Sequence, residues 1–225
     1  MLVIGLDFSV NYPAFCICKD WQSFAWLAAV NTNIPKNYQK QLEDFQAEFP
    51  AIEIIQLEAR PKKTDNYSLN ERNKLVSYSV MIDALINKLK SIITDENIVV
   101  SIEGIAYGAQ GNALVDIALA TGMVRKAILD NLLDGDARRL FIFSPSELKN
   151  AIGAKGNANK FEIYQQFKLD PKIETVKQSN LYQLINKYED LVLKGQEIKS
   201  PFSDMIDSYL AALKIHEILN LKEPN

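Results

Sequence analysis

Two short apolar runs along the chain each end in a single carboxylate. Residues 2–6 (LVIGL) lead directly into Asp7, and residues 98–102 (IVVSI) lead into Glu103 in the same way. Runs of this length that are rich in Val, Ile and Leu are typical of buried strands. An ionised acid at the end of a buried strand is costly unless a partner or a metal ion compensates its charge. The pattern therefore marks Asp7 and Glu103 as candidates for a functional site.

The remaining pattern predicts strands and helices in a mixed order. Five segments have the apolar content and length of strands: 2–7, 14–19, 23–30, 98–103 and 140–143. A sixth segment, 52–57, is a further candidate. Three segments show the period of amphipathic helices: 68–92, 112–133 and 204–219. The first three strands are separated by short turns, which predicts an antiparallel meander. A meander followed by alternating strands and helices indicates an α/β fold with a mixed sheet flanked by helices.

Capping residues predict where two of the helices begin. Ser144, Pro145 and Glu147 supply a cap, a proline at the first helical position and a glutamate three residues after the cap. Ser68 and Glu71 have the same spacing at the start of the long helix. Its predicted apolar seam consists of Leu75, Ile82, Leu85, Leu89 and Ile92. Such a seam predicts a buried face or, alternatively, a dimer interface.

A second pair of acids lies at the start of the last predicted helix. Asp204 and Asp207 are about one turn apart and border an apolar stripe. Acids in a first helical turn also complement the helix dipole, so this pair alone does not identify a site. Together with the two strand acids, however, it makes a set of carboxylates that would repel one another without a cation. Oxygen donors favour Mg²⁺ or Mn²⁺ over zinc, and two such ions can drive phosphodiester cleavage.

Composition and charge exclude few function classes. The 225 residues suit one domain over 1–225, and the net charge of −3 neither indicates nor excludes a nucleic-acid partner. The two cysteines, Cys16 and Cys18, lie too close together in one strand for a disulfide framework, so we expect reduced core residues. No apolar stretch approaches the ~18 residues of a membrane span, and no signal peptide is evident. These features predict a cytoplasmic protein without a membrane partner.

Four segments, taken in order, resemble the RuvC-type Holliday junction resolvases of the ribonuclease H-like superfamily. They are 5–9 (GLDFS), 101–104 (SIEG) with the small-residue helix that follows, 143–160, and 203–208 (SDMIDS). The resemblance implies a divergent member, of phage or viral type, with a five-stranded mixed sheet flanked by helices. It also implies a homodimer, a crossover junction endodeoxyribonuclease, that nicks branched DNA with Mg²⁺.

The resemblance also assigns roles to residues. Asp7, Glu103, Asp204 and Asp207 take the catalytic and metal-binding roles, with two Mg²⁺ (or Mn²⁺) per site, and Lys160 takes a phosphate contact. The family usually carries an aromatic residue three positions after the strand glutamate. This chain has Ala there, so the tyrosine that follows it is the candidate for stacking on DNA. The candidate DNA contacts are Tyr107, Lys155, Lys160, Arg60, Lys62 and Lys63. Segment 171–199 is expected to be a helical insertion.

Other functions stay open from the sequence. A ribonuclease H-like nuclease acting on flaps or RNA–DNA hybrids would use the same acids, and a catalytically silent DNA-binding module would keep the same fold. An actin-like ATP-binding protein also begins with a strand that ends in an acid. That fold needs two such domains and a second Gly-rich phosphate loop, whereas this chain is short and 104–111 lacks the pattern.

Overall fold

The computed structural model describes residues 1–93, 97–105 and 111–220, which are built around a six-stranded mixed sheet. The strands are β1 (Leu2–Asp7), β2 (Ala14–Lys19), β3 (Ser23–Asn31), β4 (Ile52–Leu57), β5 (Ile98–Glu103) and β6 (Leu140–Phe143). Their order is β4-β3-β2-β1-β5-β6. Strands β1 to β3 form the antiparallel meander, while β4 pairs in parallel with β3, β5 with β1, and β6 with β5.

This topology confirms the predicted mixed sheet and corrects its size. The sheet has six strands in place of five because 52–57 pairs with β3 and extends the sheet at that edge. Since β1, β3, β4, β5 and β6 all run in one direction, their carboxyl ends lie at the same edge of the sheet. In sheets of this kind, that edge is where functional side chains gather.

Eight helices occur in the described part of the chain. They are α1 (Lys36–Glu48), α2 (Tyr67–Ile92), α3 (Gly111–Leu132), α4 (Pro145–Ala151), α5 (Lys160–Leu169), α6 (Asn180–Lys187), α7 (Glu189–Val192) and α8 (Phe202–Asn220). Short 3-10 turns span Ala137–Arg139 and Glu174–Gln178, and β7 (Leu193–Lys194) pairs with β8 (Glu197–Ile198) in a small hairpin. None of the helices described here combines the length and apolarity needed to cross a bilayer.

The two faces of the sheet carry separate apolar cores. On one face Leu2, Ile4 and Leu6 pack with apolar side chains of α2 and α3. On the other face Cys16 and Cys18 pack with side chains of α4, α5 and α8. Both cysteines are buried free thiols, as the sequence predicted.

The long helix α2 differs from its prediction at the start and along its seam. Its N-cap is Asn66 rather than Ser68, because the Asn66 side chain accepts a hydrogen bond from the backbone N–H of Leu69 at 2.9 Å. Leu75 is 47% exposed, so its assignment to the buried seam is wrong. The buried side chains of α2 are Tyr78, Met81, Ile82, Leu85, Ile86 and Leu89.

Helix α8 lies directly on the sheet because Gly5 has no side chain. A Cβ atom at Gly5 would overlap the carbonyl oxygen of Ser208 and lie 2.5 Å from the backbone nitrogen of Ala212. On the neighbouring strand, the fully buried Ser101 donates a hydrogen bond from Oγ to the carbonyl oxygen of Ala211 at 2.6 Å. These two contacts fix the height and the rotation of α8 over β1 and β5.

Segment 171–199 contributes to the core on the α8 face. Its helical part buries Val176, Leu181 and Leu184 in the same apolar cluster as side chains of α8. It ends in the β7–β8 hairpin, which the sequence did not predict. Whether the segment is an insertion stays a prediction.

Candidate active site

The strand order places two of the candidate acids side by side. Asp7 and Glu103 are the last residues of β1 and β5, which are adjacent and parallel, and the residues before them are paired in register. Because side chains alternate along a strand, Asp7 lies on the same face as Gly5, and Glu103 lies on the same face as Ser101. Both acids therefore lie on the face that α8 covers.

The start of α8 brings the second pair of acids to the same place. Asp204 lies in the first turn of α8 and is 5% exposed, and Asp207 follows one turn later. A cavity of about 440 Å³ is lined by Asp7, Glu103, Asp204 and Asp207. The structure thus joins carboxylates that are up to 200 positions apart in the sequence, counted from Asp7 to Asp207.

Burial and mutual repulsion make ionised carboxylates costly in this cavity. Burial raises the pKa of Asp7 well above its ordinary value, and the charges of Asp207, Asp204 and Glu103 raise it further. Burial, followed by the charge of Asp207, raises the pKa of Glu103 to about 7. Burial likewise raises the pKa of Asp207 to about 6, although the charge of a nearby lysine opposes this shift. Such a cluster favours a bound cation.

Lys160 supplies a positive charge at this cavity. Helix α5 begins at Lys160 because a capping box fixes its start: Asn159 accepts from the backbone N–H of Glu162 at 3.0 Å and donates its own N–H to the Glu162 carboxylate at 2.7 Å. The Lys160 ammonium lies 3.2 Å from Asp204 Oδ1 and 3.4 Å from Asp207 Oδ2. Burial opposes its charge, but the neighbouring carboxylates outweigh that effect and raise the pKa of Lys160.

A second lysine on the cavity wall was not assigned a role from the sequence. Lys149 lies in α4, whose start is fixed by the predicted capping box of Ser144 and Glu147. Its ammonium donates to the carbonyl oxygen of Ala158 at 2.8 Å. Its positive charge partly offsets the rise in the pKa of Glu103. Lys149 lies within the segment that resembles the resolvases, but a lysine in a short amphipathic helix carries no signal of its own.

The donor chemistry of the cavity fits a hard divalent cation. Carboxylate oxygens are the ligands that Mg²⁺ and Mn²⁺ prefer, and the cavity is lined by four carboxylates. In residues 1–93, 97–105 and 111–220, no group of three or more Asp, Glu, His or Cys side chains is arranged to hold a metal ion in the present conformation. Lys160 is already paired with Asp204 and Asp207, so a metal ion would compete with its ammonium for these carboxylates.

Arg60, one of the residues predicted to contact DNA, makes contacts within the chain. The Arg60 guanidinium lies 4.9 Å from the centre of the Tyr78 ring and donates to the carbonyl oxygen of Val10. It therefore ties the segment after β1 to α2. Lys62 and Lys63 are exposed in the loop that follows β4, and this loop leaves the sheet at the same edge as the acids. The structure does not place these three residues in the acid cavity.

Of the other two predicted contacts, the structure describes only Lys155. Lys155 is exposed in the loop between α4 and α5, and its side chain does not line the cavity. Tyr107 lies outside the described residues. For these residues, contact with DNA stays a prediction.

Comparisons with known proteins find similar structures. No family model matches the chain. A search of curated proteins also finds no match. The solved Thermus thermophilus RuvC structure is 13% identical, with 98% of this chain and 96% of that chain covered and a TM-score of 0.46. T. thermophilus RuvC in complex with Holliday junction substrate is 12% identical, with 99% and 96% covered and a TM-score of 0.49.

A third solved structure extends the comparison to a eukaryote. The yeast mitochondrial Holliday junction resolvase Ydc2 is 14% identical, with 98% of this chain and 80% of that chain covered and a TM-score of 0.48. At these identities and TM-scores the likeness adds no evidence about function, which is inferred below from the residues of the cavity. The chain is similar to RuvC-type Holliday junction resolvases over nearly its whole length.

Proposed function

We propose that this protein is a metal-dependent endonuclease that cleaves phosphodiester bonds in branched DNA, as a Holliday junction resolvase does. The observation that carries the proposal is the convergence of Asp7, Glu103, Asp204 and Asp207 around one cavity at the carboxyl edge of the sheet. Carboxylates gathered at a partly buried site repel one another and are costly to ionise unless a cation compensates their charge. A metal site is the explanation that uses all four.

The four acids would hold Mg²⁺ or Mn²⁺, two ions per site. Such ions activate a water molecule and stabilise the leaving oxygen in phosphodiester hydrolysis. The chain's own residues position the substrate. Lys160 and Lys149 extend positive charge into the cavity and can hold the non-bridging oxygens of the phosphate. Gly5 and Ser101 keep the first turns of α8 over the two strand acids.

The choice of a branched substrate comes from the ordered motifs in the sequence. The same acids would also serve a nuclease that acts on flaps or RNA–DNA hybrids, so the substrate has to be tested directly. Exposed Lys62, Lys63 and Lys155 would contribute phosphate contacts around the site. If several of these contacts form, the affinity for DNA falls steeply with salt because each contact releases counterions.

A nicking assay tests the proposal. The protein is incubated with Mg²⁺ and a panel of four-way junctions, flaps, duplexes and RNA–DNA hybrids of matched length. We expect paired nicks near the branch point of the junction, and we expect Glu103→Gln to abolish them. Glu58→Gln is the matched control, because Glu58 is exposed and does not line the cavity. Preference for hybrids would refute the resolvase assignment, and an inactive wild type would favour a DNA-binding module.

Symmetrical nicking of a junction requires two active sites, and we propose that a homodimer supplies them. The outer face of α2 and α3 is the candidate interface, since it exposes Leu75, Val76, Val80, Val115 and Leu119. Large exposed apolar side chains that gather into a patch are typical of protein interfaces. Sedimentation should show a dimer for the wild type and a monomer for Val80→Glu. A wild type that sediments as a monomer at working concentration contradicts the homodimer.

A further inference from the structure

A second, polar cavity adjoins the cavity of the four acids. Its volume is about 360 Å³, within the ~300–1,000 Å³ range of small-molecule binding sites. Asn159 and Lys160 line both cavities, so the two spaces share a wall. The opposite side of the second cavity is formed by Gln196 and Glu197 of the β7–β8 hairpin. A DNA strand bound at the acids would therefore have the second cavity immediately beside it.

The hairpin side of the second cavity suits a nucleobase better than a phosphate, whereas the ammonium of Lys160 on the shared wall can hold a phosphate. Gln196 can donate and accept hydrogen bonds, Glu197 can accept them, and Phe161 adds a partly exposed aromatic ring. The Glu197 carboxylate would repel a phosphate but can accept from the exocyclic amine of a base. Aromatic side chains stack on unpaired bases whatever their sequence.

The two hairpin side chains are not engaged elsewhere in the described part of the chain. Gln196 and Glu197 are both exposed, and neither side chain has a hydrogen bond or ion pair with another described residue. Neither is needed to hold the hairpin together, because the hairpin is formed by backbone pairing and by the buried Ile198. Their polar groups are therefore available to a ligand.

We propose that this second cavity binds an unpaired nucleobase beside the phosphate that the four acids cleave, and that it gives the enzyme a base preference. The inference rests on the proposed function and assigns a role to the hairpin of segment 171–199. Lys160, on the shared wall, holds the phosphate between the two cavities. Glu197 accepts from an amino group on the Watson–Crick edge, so adenine, cytosine and guanine are bound in preference to thymine, which has no amino group.

The test is a four-way junction with randomised nucleotides on both sides of the branch point. Nicks made with Mg²⁺ are mapped by sequencing for the wild type, Gln196→Ala and Glu197→Gln. We expect the wild type to disfavour thymine about tenfold at one position next to the nick. Both variants should reduce this discrimination against thymine. Gln196→Ala removes a side chain that can donate and accept hydrogen bonds, and Glu197→Gln provides an amide that can donate to thymine. Lys194→Ala is the control, since Lys194 is exposed in the same hairpin but does not line the cavity.

The outcomes separate the inference from the function on which it rests. Cleavage without a base preference in the wild type overturns the inference and leaves the proposed function standing. Cleavage with a preference that both variants retain does the same. A wild type that cleaves no DNA overturns both.

Discussion

Glu103→Gln should stabilise the metal-free protein while abolishing its cleavage activity. In the cavity, burial and the charge of Asp207 raise the pKa of Glu103 from 4.5 to about 7. At 1.36 kcal/mol per pH unit, this difference corresponds to about 3 kcal/mol, or about 2 kcal/mol after a discount for partial exposure. Glutamine has nearly the same shape and no charge, so it removes this cost. For a chain of this size the melting temperature should rise by about 4–8 °C.

The pH dependence gives the stabilisation a signature. As the pH falls through about 7, the native wild type takes up a proton at Glu103. The unfolded chain keeps this carboxyl ionised until the pH approaches its ordinary value of 4.5. The cost of the buried charge is therefore largest at pH 8, decreases as the pH falls below 7, and is lost only when the pH reaches about 4.5. The advantage of Glu103→Gln over the wild type should shrink in the same interval.

Urea unfolding in EDTA at pH 8 and pH 5.5 measures both effects. The difference between the two proteins should be about 2 kcal/mol at pH 8 and less than half of that at pH 5.5. Glu58→Gln controls for the substitution itself, because Glu58 is exposed and its replacement should change stability at neither pH. A variant no more stable than the wild type at pH 8, or one with an equal gain at both pH values, refutes the reasoning.

Three further substitutions test how the site is held together. Gly5→Ala should destabilise by about 3 kcal/mol or more in urea unfolding, because its Cβ meets the backbone of α8; the control Gly122→Ala, where a Cβ meets nothing within 4 Å, should cost nothing. Ser101→Ala should cost about 1 kcal/mol through the lost hydrogen bond to α8, and an unchanged urea midpoint would contradict this. Lys160→Met should lower the melting temperature in EDTA and enlarge the increase caused by Mg²⁺, because the ammonium no longer competes for Asp204 and Asp207; an equal Mg²⁺ effect in both proteins would argue against that competition.

The strand acids could be predicted because burial leaves a local pattern. An apolar run interrupted at its end by one carboxylate is visible in the sequence at Asp7 and Glu103. Their adjacency could not be read from that pattern, because it depends on the pairing of β1 with β5, which lie about 90 residues apart. Helix periodicity likewise predicted α8 but not its close approach to the sheet at Gly5.

The features that the sequence did not predict have physical causes of the same kind. Leu75 was assigned to a buried seam, but α2 is apolar on its outer face as well, so periodicity alone could not choose the face. The contacts of the Arg60 guanidinium with Tyr78 and Val10 were not predicted, and contact of Arg60 with DNA stays a prediction. Lys149 was not assigned a role because its position at the cavity depends on how α4 packs. Each case turns on a tertiary contact that has no local signature.

Affinity cleavage of the protein by bound iron tests most directly whether the four acids share one metal site. Fe²⁺ is added to the metal-free protein in place of Mg²⁺, followed by ascorbate and peroxide. The resulting cuts in the protein backbone are mapped by mass spectrometry. We expect cuts near Asp7, near Glu103 and near the Asp204–Asp207 turn in the same sample, all suppressed by excess Mg²⁺ and by Glu103→Gln. Cuts confined to one of these three segments, or cuts that Mg²⁺ does not suppress, would contradict the shared site.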